Sequence, residues 1–373
     1  MVLQQAFQRD PALWLARMCP DEPVLFFDPA RLRATAALFM AHFPGEVTYA
    51  VKANPDSAVL DGLVAAGMAA FDVASPEEMA LVRKAAPQAR LHYHNPIRSQ
   101  AEIAAARRYG ITSWSVDRMS ELDKLGPLEG AEIAVRLKLP VAGAAYDFGS
   151  KFGAGPEPTG ALLRAVVARG GVPSLTFHPG TQCREAQAWQ SYIRAAVQIV
   201  SDAGIRLHRL NVGGGFPAHR EDPAPDLPAL FAAIDGAVAA GFGAERPALV
   251  CEPGRAMVAE AFDLALRIKA RDGVTVFLND GVYGALGEWR DMGPSTRLTV
   301  LGADGHPRIG GNRPMTVFGP TCDSLDRLPD RLPLPEALEE GDYLLVHGCG
   351  AYSAALATQF NGYGARRIVT LAR

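Results

Sequence analysis

The chain of 373 residues is 49% hydrophobic and 21% charged, ordinary usage for a globular protein of two or three domains, and no low-complexity tract marks disorder. Its 37 basic against 40 acidic residues give a net charge of −3, which leaves no electrostatic case for nucleic acid or an anionic membrane and points to a small-molecule partner. The apolar runs are broken by charge or proline short of the roughly 18 residues a bilayer span takes, the N-terminus lacks the layout of a secretory signal, and five scattered cysteines form no paired framework, so a cytoplasmic protein is expected.

In chain order, EPVLFFD reads as a strand. From Thr48 to Gly254 eight short β-rich runs follow: TYAVKA, AFDVAS, RLHYHN, ITSWSV, EIAVRLKL, SLTFHPG, RLNVGGG and ALVCEPG. Between them lie stretches such as SPEEMALVRKAA and QAWQSYIRAAVQIVSDAG, whose apolar residues recur at helical spacing. Eight βα units fit an α/β fold of the (β/α)8 barrel type better than an open doubly wound sheet. Beyond Phe262 the pattern becomes strands separated by turns (TVFLNDGVYG, RLTVLGADG, MTVFGPTCD, DYLLVHGC, RRIVTLA), an antiparallel β domain. The expected domains are a segment 1–28 whose strand joins the β domain, a barrel over 29–261 and the β domain over 262–373. The Gly- and Pro-rich stretches 140–157 and 217–227 read as loops.

Each barrel run is apolar early and ends in a polar or flexible residue: Lys52, Asp72, His94, Asp117, Arg136, His178, Gly213 to Gly215, Glu252. Barrel sites assemble at the C-terminal strand ends, where these residues converge. Lys52 is either a solvated lysine or a Schiff-base amine. The glycine run is either a tight turn or an anion cradle, the latter favoured by Arg255 in CEPGRA. Glu252 either pairs with Arg255 or holds a protonated ring nitrogen. Metal binding is disfavoured, because the eight histidines show no HxxxH or HxH pairing with nearby carboxylates. In the last third, NDGVYG, GPTCDSLD and GAYSAALATQFNGY are polar, glycine-flanked segments suited to loops over a site, and Cys322 is either a structural thiol or a proton donor.

Taken together, YAVKAN, FDVASPEE, FGSKFG, TFHPGTQC, NVGGGFP, CEPGR, NDGVYG, GPTCDSLD and GAYSAALATQFNGY make the chain resemble the fold-type III pyridoxal-phosphate-dependent amino-acid decarboxylases, and within them bacterial ornithine decarboxylase. The resemblance implies that Lys52 carries pyridoxal 5′-phosphate, that Glu252 meets the pyridine nitrogen and that His178 stacks on the ring. It further implies that Gly213, Gly214, Gly215, Thr181, Arg255 and Tyr352 hold the phosphate, with Asp72 and Arg136 beside the lysine. Cys322 would protonate the substrate carbon, and Asp280 and Asp323 would bind a distal ammonium, with Tyr283 and Phe360 also at the substrate. The family assembles as a homodimer with shared sites.

The expected activity is decarboxylation of L-ornithine to putrescine, a polyamine-forming reaction, with L-lysine as a further substrate. Two acids suit a cationic side chain better than a distal carboxylate, for which an arginine would be needed. Decarboxylation of another basic or diamino acid is the enzymatic alternative. A catalytically silent, decarboxylase-like binding protein is the other, opposed by the presence of Lys52, Glu252, Arg255 and Cys322.

Overall fold

Short buried strands alternate with capped helices through the middle of the chain. The computed structural model describes residues 9–140, 150–365 and 367–372. The chain divides into two compact units: Ala36–Pro217 with Pro225–Met257, and the residues up to Thr35 with Ala218–Ala224 and Val258 onward. Strand β1 (Val24–Phe27) falls in the latter.

The first unit holds nine strands, β2 (Glu46–Val47), β3 (Tyr49–Ala50), β4 (Ala70–Asp72), β5 (Arg90–Tyr93), β6 (Ser113–Val116), β7 (Glu132–Leu137), β8 (Val172–Phe177), β9 (Arg209–Asn211) and β10 (Ala248–Cys251). All their pairings are parallel, in the order β2-β10-β9-β8-β7-β6-β5-β4-β3. This is the expected barrel. One run differs: in TYAVKA only Tyr49–Ala50 is strand and Val51–Ala53 is a 3-10 turn, while Thr48, its first residue, gives both its backbone N–H and its hydroxyl to the Cys251 carbonyl, at 2.9 and 3.0 Å. The ring closes there, with β2 on one side of Thr48 and β3 on the other.

The helices start where their sequences say they should. Ser75 accepts from the Glu78 N–H ahead of Pro76–Ala85, which carries Glu77 and Glu78 in its first turn and Arg83 and Lys84 in its last. Ser99 and Glu102 close a reciprocal capping box on Gln100–Arg108. Of the two stretches expected as loops, half of 140–157, residues 141–149, lies outside the described residues, and its end already opens the helix Pro156–Ala168. The other, 217–227, is irregular until Leu227 starts the next helix.

Leu227–Glu245 is long and apolar enough to cross a membrane by length and composition, which corrects the expectation that no run qualifies. Its Leu230, Phe231, Ile234 and Val238 are buried, and Phe231 packs against Phe39, Phe43 and Phe216. At the N-terminal end of the barrel interior, Glu46 binds Arg90 at 2.5 Å, Arg209 at 2.6 Å and His92 at 3.3 Å. Burial opposes its charge, but these partners hold the carboxyl down at about 2.

The second unit is one eight-stranded sheet of β1, β11 (Phe262–Asp272), β12 (Thr275–Leu278), β13 (Leu298–Leu301), β14 (Asn312–Phe318), β15 (Leu332–Pro335), β16 (Tyr343–His347) and β17 (Arg367–Thr370). As expected, the N-terminal strand joins it, with Val24 opposite Ala265 on β11 and Arg367 on β17. The sheet is mixed rather than wholly antiparallel, since β1 with β17 and β12 with β14 run parallel. Trp14, Leu15, Val24, Phe26, Leu301, Tyr343, Leu345 and Leu371 build its core.

Candidate active site

In the barrel unit, Lys52 lies in the single 3-10 turn Val51–Ala53 directly after β3. It lines a cavity of about 320 Å³ with Asp72, His94, Arg136, Phe152, Thr176, His178 and Glu252, within the size range of small-molecule sites. Each of these except Phe152 belongs to a strand's C-terminal end: Asp72 ends β4, His94 follows β5, Arg136 is next to last in β7, Thr176 and His178 flank the end of β8, and Glu252 follows β10. The structure thereby brings together residues that the sequence spreads over 200 positions, as a barrel does.

The glycine run follows β9. A Cβ on Gly213 would stand 2.1 Å from the Phe177 carbonyl oxygen, one on Gly214 2.8 Å from the Glu252 carbonyl oxygen, and one on Gly215 2.7 Å from the Gly180 carbonyl oxygen. Gly213 and Gly215 also have φ of +69° and +86°. Only glycine permits this backbone so close to its neighbours. The Gly213 N–H donates to Asn211 Oδ1 at 2.8 Å, whereas the N–H groups of Gly214 and Gly215 meet no acceptor among the described residues. Buried Thr181 and Arg255 lie on the same unit, Arg255 at the start of the turn of helix Arg255–Val258.

Glu252 Oε1 accepts from His94 Nδ1 and from Asn211 Nδ2, each at 2.5 Å. Burial works against its charge, but His94 first, then Asn211 and Lys52, keep the carboxyl below the usual carboxylate range. The His94 imidazole is pushed up by Glu252 despite burial. Asp72 goes the other way: burial, and then the negative charge of Glu252, raise it, and its buried Oδ1 has no hydrogen-bond partner. Burial, helped by Lys52 and Arg136, drops His178 to about 3, so its ring is neutral near pH 7. Its Nδ1 accepts from the Gly180 N–H at 3.2 Å, which places the ring proton on Nε2.

This donor set fits pyridoxal phosphate: an amine beside a cavity, a neutral flat imidazole, an ionised carboxylate for a ring N–H, and unsatisfied backbone N–H groups for a phosphate. Oxygens of Asp72 and Glu252 and a nitrogen of His94 also lie within 4.8 Å of one another, a constellation of possible metal ligands that takes one histidine of the pair His92-Tyr93-His94 and two carboxylates distant in sequence. Asp117 accepts from the Gly153 N–H at 2.9 Å, and Phe152 lies 5.3 Å from the Arg136 guanidinium.

The remaining candidates belong to the second unit. Tyr283 donates its hydroxyl to Asp323 Oδ2 at 2.6 Å, and its ring centroid lies 5.2 Å from that of Phe360. The Cys322 N–H donates to Asn361 Oδ1 at 3.2 Å, and Cys322 itself is exposed. Cys322, Asp323, Tyr283 and Phe360 thus form one cluster. Tyr352 adopts φ of +64°, an uncommon backbone state for a non-glycine residue.

Asp280 is tied to its own turn. It is 1% exposed, and its two oxygens accept from the N–H groups of Gly281 and Ala285 at 2.9 and 3.0 Å. Its carboxylate thus organises the NDGVYG turn. The acid that the sequence pattern passed over is Asp326, which accepts from the Val282 N–H at 3.0 Å and from the Thr321 N–H and hydroxyl at 3.1 and 2.8 Å, tying the Cys322 segment to that turn. His94 was legible only as a polar strand end, and Asn211 was passed over.

The family model for the pyridoxal-dependent decarboxylase, pyridoxal binding domain, matches residues 30–259. Decarboxylase flvG of Aspergillus flavus is 31% identical over 341 residues, covering 86% of this chain and 78% of that protein. The lysine/ornithine decarboxylase of Selenomonas ruminantium is 30% identical over 361 residues, covering 94% and 89%. The structure of lysine/ornithine decarboxylase from Vibrio vulnificus complexed with cadaverine aligns with a TM-score of 0.80 at 27% identity, covering 94% of this chain and 95% of that one. With the barrel, the glycine cradle and the Lys52–Glu252 cavity all in place, the chain belongs to the pyridoxal-dependent decarboxylases of amino acids.

Proposed function

We propose that the substrate is L-ornithine, decarboxylated to putrescine and CO2, with L-lysine to cadaverine as a second activity. We further propose that the protein works in the cytoplasm as a homodimer whose two sites each draw Cys322 and Asp323 from the other subunit. The observation that carries the substrate class is Asp323. Its carboxylate is kept low by Tyr283 and the Leu325 N–H, so it offers a full negative charge beside Cys322. A distal ammonium needs such a partner, and a distal carboxylate needs the opposite one. The names of the Selenomonas and Vibrio relatives support the same class.

Pyridoxal phosphate, when bound, supplies an electron-poor conjugated ring that takes up the electron pair released with CO2. The amine of Lys52 would hold the cofactor's aldehyde carbon and, being solvent-exposed, give way to an incoming amino group. Glu252, ionised, keeps a proton on the ring nitrogen. His178 packs as an uncharged ring and so adds no positive charge where negative charge is needed. Gly214, Gly215, Thr181 and Arg255 anchor the phosphate, with Tyr352. Arg136 and Asp72 order the lysine side of the cavity. Cys322 delivers a proton from Sγ to Cα, in place of the departed carboxyl group.

Product analysis with L-ornithine, L-lysine, L-2,4-diaminobutyrate and L-arginine tests the assignment. Putrescine formed with the highest kcat/KM supports it. A kcat/KM for arginine or diaminobutyrate tenfold above that for ornithine overturns it.

A further inference from the structure

We propose that His94 is a positioning residue of the reaction: it locks the Glu252 carboxylate, charged and in one orientation, for the cofactor's ring nitrogen. The proposal rests on the pyridoxal-phosphate assignment above.

The geometry is that of a fixed clamp. Both nitrogens of the imidazole are engaged, Nδ1 with Glu252 Oε1 at 2.5 Å and Nε2 with Ser113 Oγ at 3.1 Å. His94 and Ser113 are buried, at 7% and 3% exposure, while the Glu252 side chain keeps 11% of its surface toward the cavity. A second donor, Asn211 Nδ2, reaches the same oxygen at 2.5 Å, and its amide cannot turn over because its Oδ1 accepts the Gly213 N–H at 2.8 Å. Both contacts fall on Oε1 and leave Oε2 for another donor. A buried carboxylate without a cationic partner takes up a proton and loses its charge. A neutral Glu252 could no longer hold a proton on the ring nitrogen, and the ring would lose its electron-withdrawing power.

The fold explains why histidine does this work. His94 follows β5 and Glu252 follows β10, 158 residues later, and the barrel turns both inward at one end. Asn211 at the end of β9 couples the same carboxylate to the glycine cradle.

The test is a double-mutant cycle with His94→Gln, Glu252→Gln and both together, on holoenzyme and on apoprotein. His94→Gln is expected to lower kcat at least tenfold with KM changed less than threefold, and to change the pH at which the bound cofactor's visible absorbance titrates. In the Glu252→Gln background the same substitution should change kcat less than threefold. Additive losses, or loss confined to cofactor affinity and apoprotein melting temperature, would overturn the proposal. If His94→Gln does not fold, His94→Asn replaces it with the same criteria. Failure of the wild-type protein to develop visible absorbance with pyridoxal phosphate would strike the cofactor assignment instead, so the two failures are distinguishable.

Discussion

The hydroxyl of Tyr283 stands 2.6 Å from Oδ2 of Asp323 and donates to it, which fixes one oxygen of an acid in the exposed segment beside Cys322 and helps keep it ionised. Asp280 accepts from two N–H groups of its own turn, so the proposed partner of a distal ammonium to be tested first is Asp323. Asp323→Asn is expected to raise KM for ornithine at least tenfold while leaving the affinity for pyridoxal phosphate within threefold. Steady-state kinetics with a cofactor titration checks this, and weakened cofactor binding at unchanged KM would contradict it. Asp280→Asn should instead lower the melting temperature, since a buried acceptor of two N–H groups is altered.

Gly214 probes the phosphate cradle. An alanine there brings its Cβ to 2.8 Å from the Glu252 carbonyl oxygen and 3.1 Å from His178 Nε2. Gly214→Ala is expected to weaken cofactor binding about tenfold or more, which corresponds to about 1.4 kcal/mol. Fluorescence titration of the apoprotein with pyridoxal phosphate measures it, and unchanged affinity would remove the run from the phosphate site.

His178 makes the fold sensitive to acid. An unfolded histidine takes up its proton below about pH 6.5, whereas His178 in the folded protein resists until about 3. The unfolded chain therefore binds more protons between these values, and stability falls as pH drops below 6.5, by at most about 1.4 kcal/mol per unit for this group. In His178→Phe apoprotein the melting temperature should fall less between pH 7 and pH 5 than in wild type. Equal falls would mean that His178 is protonated in the native state.

The shared-site dimer has its own test. Lys52→Ala and Cys322→Ala homodimers should each be largely inactive. If each site takes Lys52 from one subunit and Cys322 from the other, a heterodimer holds one doubly damaged and one intact site. With random exchange, mixing should recover about one quarter of wild-type activity. No recovery, with heterodimers proven by native mass spectrometry, would place both residues in sites of a single chain.

The barrel was legible because apolar strand interiors and polar strand ends repeat with a period that only a closed parallel sheet explains. The shortness of the first strand was not, since TYAVKA is continuously strand-like although Val51–Ala53 turns as a 3-10 helix, and the Thr48 bond at the ring closure reaches Cys251, far along the chain. Strand β15, Leu332–Pro335, was hidden by its prolines, which an edge strand tolerates because it pairs only with β14. At the site, Lys52, His178, Glu252 and the glycines announced themselves as residue types. The N–H groups that Asp280 accepts from were not legible, because a sequence shows a charge but not its backbone partners. The His94–Glu252 clamp joins two strand ends with no local signature.

Borohydride reduction of the cofactor-loaded protein, followed by proteolysis and mass spectrometry, bears most directly on the assignment of Lys52 as the cofactor's anchor. The expected result is one pyridoxyl group per chain, carried by the peptide that contains Lys52 and absent from Lys52→Ala. A stable label on Lys151, Lys138 or any other lysine of the wild-type protein, with Lys52 unmodified, would contradict it.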